Sequence, residues 1–171
     1  MPDKSLRYTI FKTTLGYFGL GGSNCTLFRT YLHVQDRKKV ERNLLKDLPA
    51  ARYDRGYFRS LQDQIAAYFE GARVDFSPEI PVLTEGFSRF ARLVLAACRQ
   101  IRFGQMLTYS RLAREIGCPA AARAVGNALA KNPLPLIIPC HRVIGTDGTL
   151  TGFGGGITLK KRLLALEKGR G

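Results

Sequence analysis

The run FSPEIPVLTEG, residues 76–86, most restricts what this 171-residue chain can fold into. It contains two prolines and a glycine, which interrupt helices and strands alike, so we expect it to be a linker or a domain boundary. The charge changes at the same place. Residues 1–81 carry 13 Lys and Arg against 9 Asp and Glu (net +4), whereas residues 82–171 carry 14 against 4 (net +10). We therefore predict two domains, residues 1–80 and residues 81–171.

The first half has the pattern of a small α/β domain. Residues Leu6–Leu32 are rich in β-branched and aromatic residues that glycines interrupt, which predicts short strands. A polar stretch follows at residues 36–48. Apolar residues then recur at helical spacing through Arg59–Glu70, and Gly71 is expected to end that helix.

The second half is expected to be mostly helical, which makes the predicted fold class α/β in the α+β arrangement. Phe87–Gln100 is amphipathic, with its predicted apolar face formed by Phe90, Leu93, Val94 and Ala97. A short helix at Ser110–Ile116 ends at Gly117. A second helix is expected to start at Pro119, a residue suited to the first helical position, and to stop before Pro133.

Two short helices joined by a glycine-containing turn are typical of a helix-turn-helix, although an ordinary α-hairpin has the same pattern. The second helix carries Ala, Gly and one Arg rather than the Arg, Asn and Gln side chains that read base edges. If this helix contacts DNA, we expect little sequence preference, as in a repair protein.

The net charge of +14 and the pI of about 10.1 favour a polyanionic partner, although a solubilising surface is the alternative. No apolar run is long enough to span a membrane, and the N-terminus lacks the apolar core of a secretory signal. We therefore expect an intracellular protein without a membrane partner. In that setting the four cysteines should be thiols, and their wide spacing argues against a metal site.

The segment NPLPLIIPCHRVIG, residues 132–145, holds the strongest candidate for chemistry. Three prolines rule out an ordinary central strand, and the segment contains the chain's only adjacent cysteine and histidine, Cys140 and His141. A thiolate forms more readily near a histidine or a cation, and we expect Arg142 to supply such a charge. The residues alone leave open a buried structural cysteine beside a hydrogen-bonded histidine.

A glycine-rich loop and a helix follow the Cys–His pair. The loop TGFGGG, residues 151–156, lacks the Lys-Ser/Thr ending of a phosphate loop. It would instead let the backbone approach a flat ligand, with Phe153 available to pack on it, unless it is simply a mobile turn. In the helix ITLKKRLLALEKG, Glu167 lies near the C-terminus, where an acid opposes the helix dipole. We therefore expect Glu167 to have a specific partner, with His141 as the candidate.

These segments together resemble the O6-alkylguanine-DNA alkyltransferase (methylated-DNA–protein-cysteine methyltransferase) family. The match comprises PCHRV at Pro139–Val143, GQMLTY at 104–109, AARAVGNALAKNP before the cysteine, and TGFGGG and the LLALE helix after it. It covers about residues 87–169. The first 80 residues match only in outline, as the family's variable N-terminal α/β domain.

The resemblance implies a catalytic group of three residues. Cys140 would accept the alkyl group, His141 would deprotonate it through a water molecule, and Glu167 would hold the imidazole in the useful tautomer. The protein would be consumed by transfer from O6-alkylguanine, with O4-alkylthymine as a possible second substrate. The resemblance implies no cofactor and no metal.

It also implies how the substrate is bound. Tyr109, the Val143 carbonyl, Phe153 and the loop amides near Gly154 would surround the guanine; relatives often carry Tyr and Ser at the last two positions. The residues in contact with DNA would be Arg123, Tyr109, Ala124 and Asn132. Arg123 would fill the space of the extruded base, and Asn132 would also hold the turn before the cysteine.

The implied partner is double-stranded DNA, bound by a monomer through the minor groove with little sequence preference. The protein would be cytoplasmic and nucleoid-associated in a prokaryote, and nuclear in a eukaryote. Two alternatives remain: a lesion-binding protein without catalysis, and a cysteine hydrolase that turns over many substrates. Zero, one or many turnovers per chain would distinguish the three.

Overall fold

The computed structural model describes residues 5–33, 35–76 and 78–169. The chain divides into two compact units, of which the first ends at Leu83 and the second begins at Thr84. The first unit holds a small sheet with helices and the second is mostly helical, which confirms the predicted fold class. None of the helices in the described ranges is long and apolar enough to cross a membrane.

Three antiparallel strands form most of the sheet in the first unit: β1 (Leu6–Lys12), β2 (Tyr17–Ser23) and β3 (Thr26–His33). A two-residue strand, β4 (Arg52–Tyr53), pairs in parallel with β1. The strand order is therefore β3-β2-β1-β4. The prediction of short strands between residues 6 and 32 is confirmed.

Two helices belong to the first unit, α1 (Arg37–Asp47) and α2 (Arg59–Phe69). The second confirms the predicted helix, whereas α1 occupies the stretch that the sequence showed only as polar. The inward residues of α1 include Val40 and Leu44, both fully buried. They lie so close to the sheet that a Cβ atom on Gly19 would be 2.5 Å from Cγ1 of Val40. Glycine therefore permits this close contact between α1 and the sheet.

The second unit contains four α-helices and a small parallel pairing of two strands. The helices are α3 (Arg89–Arg99), α4 (Tyr109–Glu115), α5 (Ala122–Ala130) and α6 (Ile157–Lys168), and the strands are β5 (Leu107–Thr108) and β6 (Val143–Ile144). Helix α5 packs against both α3 and α4.

The apolar face predicted for α3 is wrong in part. Val94, Leu95 and Cys98 are buried, whereas Leu93 is 46% exposed. The helix begins after Ser88, whose hydroxyl accepts a hydrogen bond from the Ala91 amide. Its packing against α5 selects a buried face one position further along than the hydrophobic pattern indicated.

The predicted start of α5 is also wrong. The helix begins at Ala122 rather than Pro119, which lies in the turn after α4. In that turn the Ala121 amide donates to the Cys118 carbonyl at 2.9 Å. This turn connects α4 to α5, so Ala120 and Ala121 lie outside the helix.

Candidate active site

A tight turn before β6 positions the cysteine. Cys140 begins a 3-10 turn, Cys140–Arg142, and its side chain is buried. The preceding Leu136 is also buried and has φ of +78°, a backbone region that leucine seldom adopts. Up to β6 the proline-containing segment is thus a series of turns, so it is not a strand throughout, as predicted.

Asn132 holds these turns together with three hydrogen bonds. Its amide nitrogen donates to the Ile138 carbonyl at 2.8 Å and to Sγ of Cys140 at 3.2 Å. Its amide oxygen accepts from the Leu134 backbone at 2.9 Å. The side chain therefore spans the segment from the end of α5 to the cysteine.

His141 is paired with Glu167 from α6. Nε2 of His141 lies 2.8 Å from Oε1 of Glu167, and both side chains are buried. An ionised carboxylate can only accept, so this contact places the imidazole hydrogen on Nε2. Nδ1 of His141 then carries the free lone pair, and among the described residues it has no hydrogen-bond partner.

The carboxylate of Glu167 also binds the Arg142 guanidinium. Nε of Arg142 lies 3.1 Å from each carboxylate oxygen, and Nη2 lies 2.9 Å from Oε1. Backbone groups complete the pair: the Gly104 amide donates to Glu167, and the Ile101 carbonyl accepts from Arg142 at 2.6 Å. The guanidinium that we expected to supply a charge to the cysteine is therefore bound by Glu167 and Ile101.

The cation that acts on Cys140 is Lys160, which the sequence analysis missed. This lysine is fully buried on α6. Its ammonium donates to the Val143 carbonyl at 2.6 Å and to the Thr151 carbonyl at 3.0 Å. A signal was present in the sequence, since Lys160 and Glu167 are seven residues apart and so lie on one face of α6, the face that packs inward.

Burial and neighbouring charges set the protonation states. Burial raises the pKa of the Cys140 thiol, while the Asn132 hydrogen bond and the Lys160 charge act in the opposite direction. Burial lowers the pKa of His141, so its imidazole stays neutral at neutral pH. Burial alone would raise the pKa of Glu167, but hydrogen bonds from His141 and Arg142 lower it to about 2. The site therefore combines a buried thiol, a neutral imidazole on the next residue and an ionised carboxylate.

Tyr109 and the glycine-rich loop lie on one side of this cluster. The Tyr109 hydroxyl donates to the Thr151 carbonyl at 2.9 Å and accepts from Lys160 at 3.4 Å. The Phe153 ring meets the His141 ring edge-on, with centroids 6.5 Å apart. A Cβ atom on the exposed Gly154 would meet nothing within 4 Å, so the loop is open there. The Val143 carbonyl already accepts from Lys160.

Two of the four predicted DNA-contacting residues lie outside this buried cluster. Arg123 and Ala124 are exposed on the first turn of α5, while Val125 on the same helix is buried. Asn132 lies after the end of α5 and connects it to the cysteine. Within the described ranges, no group of three or more His, Cys, Asp or Glu side chains is placed to hold a metal ion. All four cysteines are free thiols, as predicted.

The fold and the site define a class: a protein in which two helices joined by a short turn lead to a buried cysteine, followed by a buried histidine that is paired with a glutamate. Comparison with known families is more specific. Residues 89–169 match the family described as 6-O-methylguanine DNA methyltransferase, DNA binding domain.

Individual proteins extend the match beyond that domain. The methylated-DNA–protein-cysteine methyltransferase of Mycobacterium tuberculosis (strain H37Rv) is 45% identical over 117 residues, which is 68% of this chain and 69% of that protein. The protein of the same name from Methanosarcina acetivorans is 36% identical over 162 residues, covering 94% of this chain and 97% of that protein. A crystal structure of Mycobacterium tuberculosis OGT in complex with DNA superposes with a TM-score of 0.81 at 36% identity, covering 96% and 94% of the two chains. The chain belongs to the methylated-DNA–protein-cysteine methyltransferase family.

Proposed function

We propose that this protein repairs DNA by transferring an alkyl group from O6 of guanine to Sγ of Cys140, once per molecule. The observation that carries the proposal is the hydrogen-bonded series from Asn132 to Cys140 beside His141 and Glu167. A nucleophilic thiol needs a nearby base and a held geometry; His141 would supply the base, and the Asn132 hydrogen bond supports the geometry. The name shared by the relatives supports the same reaction.

In the proposed reaction the Cys140 thiol gives its proton through a water molecule to Nδ1 of His141. Sγ then forms a bond to the alkyl carbon as the bond from that carbon to O6 breaks. The electron pair of the broken bond stays on the guanine, which takes up one proton in exchange for the one that His141 received. The thioether product is not hydrolysed under mild conditions, so each molecule acts once and needs no cofactor.

Glu167 and Lys160 contribute to this reaction in different ways. The Glu167 carboxylate keeps the hydrogen of His141 on Nε2 and stabilises the imidazolium that forms when Nδ1 accepts a proton. The Lys160 ammonium lowers the free energy of the thiolate, which burial alone would disfavour. Both groups are therefore positioned to favour ionisation of Cys140.

For recognition, we propose that guanine enters between Tyr109 and the loop that contains Phe153 and Gly154. Phe153 would pack against the base, and the loop amide near Gly154 and the Val143 carbonyl would bind its edge. The Val143 carbonyl has a second lone pair beside the one that Lys160 occupies. A base can reach this site only by leaving the duplex stack.

The DNA partner is proposed to be a duplex, bound by a monomer through the minor groove. The family match to a DNA binding domain supports DNA as the ligand. The small residues on α5 let a helix approach a narrow groove, and Arg123, exposed on its first turn, would fill the space left by the extruded base. The protein would act wherever the genome lies, in the cytoplasm of a prokaryote or the nucleus of a eukaryote.

The test is intact-mass measurement after incubation with a duplex that contains O6-methylguanine. We expect one added methyl group per chain, located at Cys140 by peptide mapping. Cys140→Ala should show no transfer, whereas Cys118→Ala, which removes a thiol from the turn before α5, should react fully. Full transfer by Cys140→Ala, repeated turnover, or binding of the lesion without any covalent change would overturn the proposal.

A further inference from the structure

Helix α1 carries a group of four exposed cations, Lys38, Lys39, Arg42 and Lys46, which we term the α1 cationic face. Lys38, Arg42 and Lys46 are spaced four residues apart and so follow one side of the helix. Among the residues that the structure describes, none of the four forms an ion pair.

The acidic residues of α1 are occupied elsewhere. Glu41 accepts a hydrogen bond from the Tyr8 hydroxyl at 2.7 Å and lies 3.6 Å from Arg37. Asp47 pairs with Arg29 of β3 at 2.9 Å. These carboxylates are therefore bound to partners other than the four cations.

Packing determines which way the cations point. Val40 and Leu44 are buried against the sheet, which leaves the opposite side of α1 to solvent. Like charges four residues apart repel, and Lys38 and Lys39 lie in the first turn, where the helix dipole also disfavours cations. Among the described residues no ion pair offsets these unfavourable interactions, whereas an anionic ligand would offset them.

We propose that the α1 cationic face binds the phosphate backbone of duplex DNA, as a second contact surface in addition to α5. Eight residues of helix extend about 12 Å, a distance over which one strand of B-DNA carries roughly three phosphates. A membrane-binding helix would need large apolar residues available beside its cations, whereas Val40 and Leu44 are buried. The choice of DNA as the ligand rests on the proposed function. The choice of the α1 cationic face rests on the complementarity between its positive charge and the phosphates.

The experiment measures binding to undamaged duplex DNA as a function of salt concentration. The variant Lys38→Gln/Arg42→Gln/Lys46→Gln should reduce the slope of log K against log salt by roughly 2 to 3, since each phosphate contact contributes about 0.9. A Lys38→Gln single variant should reduce this slope by roughly 0.9. It keeps the inference testable if the triple variant does not fold.

A matched control removes the same charge from other exposed positions of the first unit. Lys12→Gln/Arg55→Gln/Arg59→Gln should leave the slope nearly unchanged, because these cations lie outside α1. Equal reductions in the two triple variants would overturn the inference in favour of a net-charge effect. An unchanged slope in the α1 variants would also overturn the inference. So would α1 variants that lose binding to phosphatidylserine vesicles but bind DNA as the wild-type protein does.

Transfer from free O6-benzylguanine separates this inference from the proposed function. Because the free base needs no DNA surface, all of these variants should react at the wild-type rate. A wild-type protein that fails to react with alkylated substrates would refute the proposed function, while the salt slopes would still report on the α1 cationic face.

Discussion

Nε2 of His141 and Oε1 of Glu167 lie 2.8 Å apart, although 26 residues separate them in the chain. The contact joins the 3-10 turn that begins at Cys140 to the last turn of α6. Because Glu167 is ionised and only accepts, the free lone pair of His141 is on Nδ1. Glu167 therefore determines which nitrogen of His141 is available to act as the base that we propose for Cys140.

The same carboxylate makes stability dependent on acid. The pKa of Glu167 is about 2 in the folded protein against an ordinary value of 4.5, so its contribution is complete above about pH 4.5 and is lost as the pH falls towards 2. The loss should amount to about 3 kcal/mol of unfolding free energy. His141, whose pKa is lowered by burial, adds a separate loss that begins as the pH falls below 6.5.

Urea unfolding between pH 7 and pH 3 checks this expectation. Glu167→Gln should be less stable at pH 7 by about 3–5 kcal/mol, because it removes the carboxylate charge that pairs with the buried Arg142 guanidinium. It should also lack the loss below pH 4.5. Glu115→Gln, which alters only an exposed ion pair with Arg111, should change stability by less than about 1 kcal/mol. An unchanged acid dependence in Glu167→Gln would contradict the assignment.

Lys160→Gln tests the cation beside the thiol. Removing this charge should raise the pKa of Cys140 further and so reduce the thiolate population at neutral pH. Transfer from O6-benzylguanine should therefore slow more at pH 7 than at pH 9, and Lys160→Arg should recover part of the rate. A purely structural role for Lys160 predicts instead the same slowing at every pH.

Arg123→Ala tests the proposed extrusion of the base. Arg123 is exposed on α5 and lies outside the buried cluster, so its removal should slow repair of duplex DNA far more than transfer from the free base. Arg162→Ala removes an equal charge from an exposed position of α6 and should leave the ratio of the two rates unchanged. Equal slowing on both substrates by Arg123→Ala would exclude this role.

The open loop predicts that a bulky benzyl group is accepted. Wild-type protein incubated with O6-benzylguanine should lose its later methyl-transfer activity, and Phe153 should favour the aromatic group by about 0.5–1.5 kcal/mol. Gly154→Trp should slow benzyl transfer more than methyl transfer from DNA, and it should leave the loop itself undistorted, since a Cβ atom there meets no neighbour. Retained activity of folded wild-type protein after preincubation would show that the site is closed.

Gly155 is the matched position at which the same substitution should behave differently. A Cβ atom there would lie 2.6 Å from Leu159 and 2.9 Å from Phe153. Gly155→Trp should therefore displace Phe153 and the start of α6 and impair methyl transfer as well. The two variants together distinguish a blocked pocket from a disturbed loop.

Several features followed directly from the order of residues along the chain. The strands between residues 6 and 32 and the helix at Arg59–Phe69 follow from local patterns of apolar residues and glycine. Cys140 and His141 are consecutive residues, so their closeness in the chain follows from the sequence alone. The position of Glu167 at a helix end, where its charge is unfavourable, indicated that it had a partner.

Only the tertiary structure decided which charged side chain pairs with Glu167 and which one influences the pKa of Cys140. Arg142, two residues from the cysteine, is turned to Glu167, whereas Lys160, twenty residues away, influences the pKa of Cys140. Helix α1 likewise depends on packing, because Val40 and Leu44 need the glycines of β2 to bury them. Local sequence determines which elements form, but the partner of a buried charge is selected by desolvation and distance in the packed core, and those depend on residues far apart in the chain.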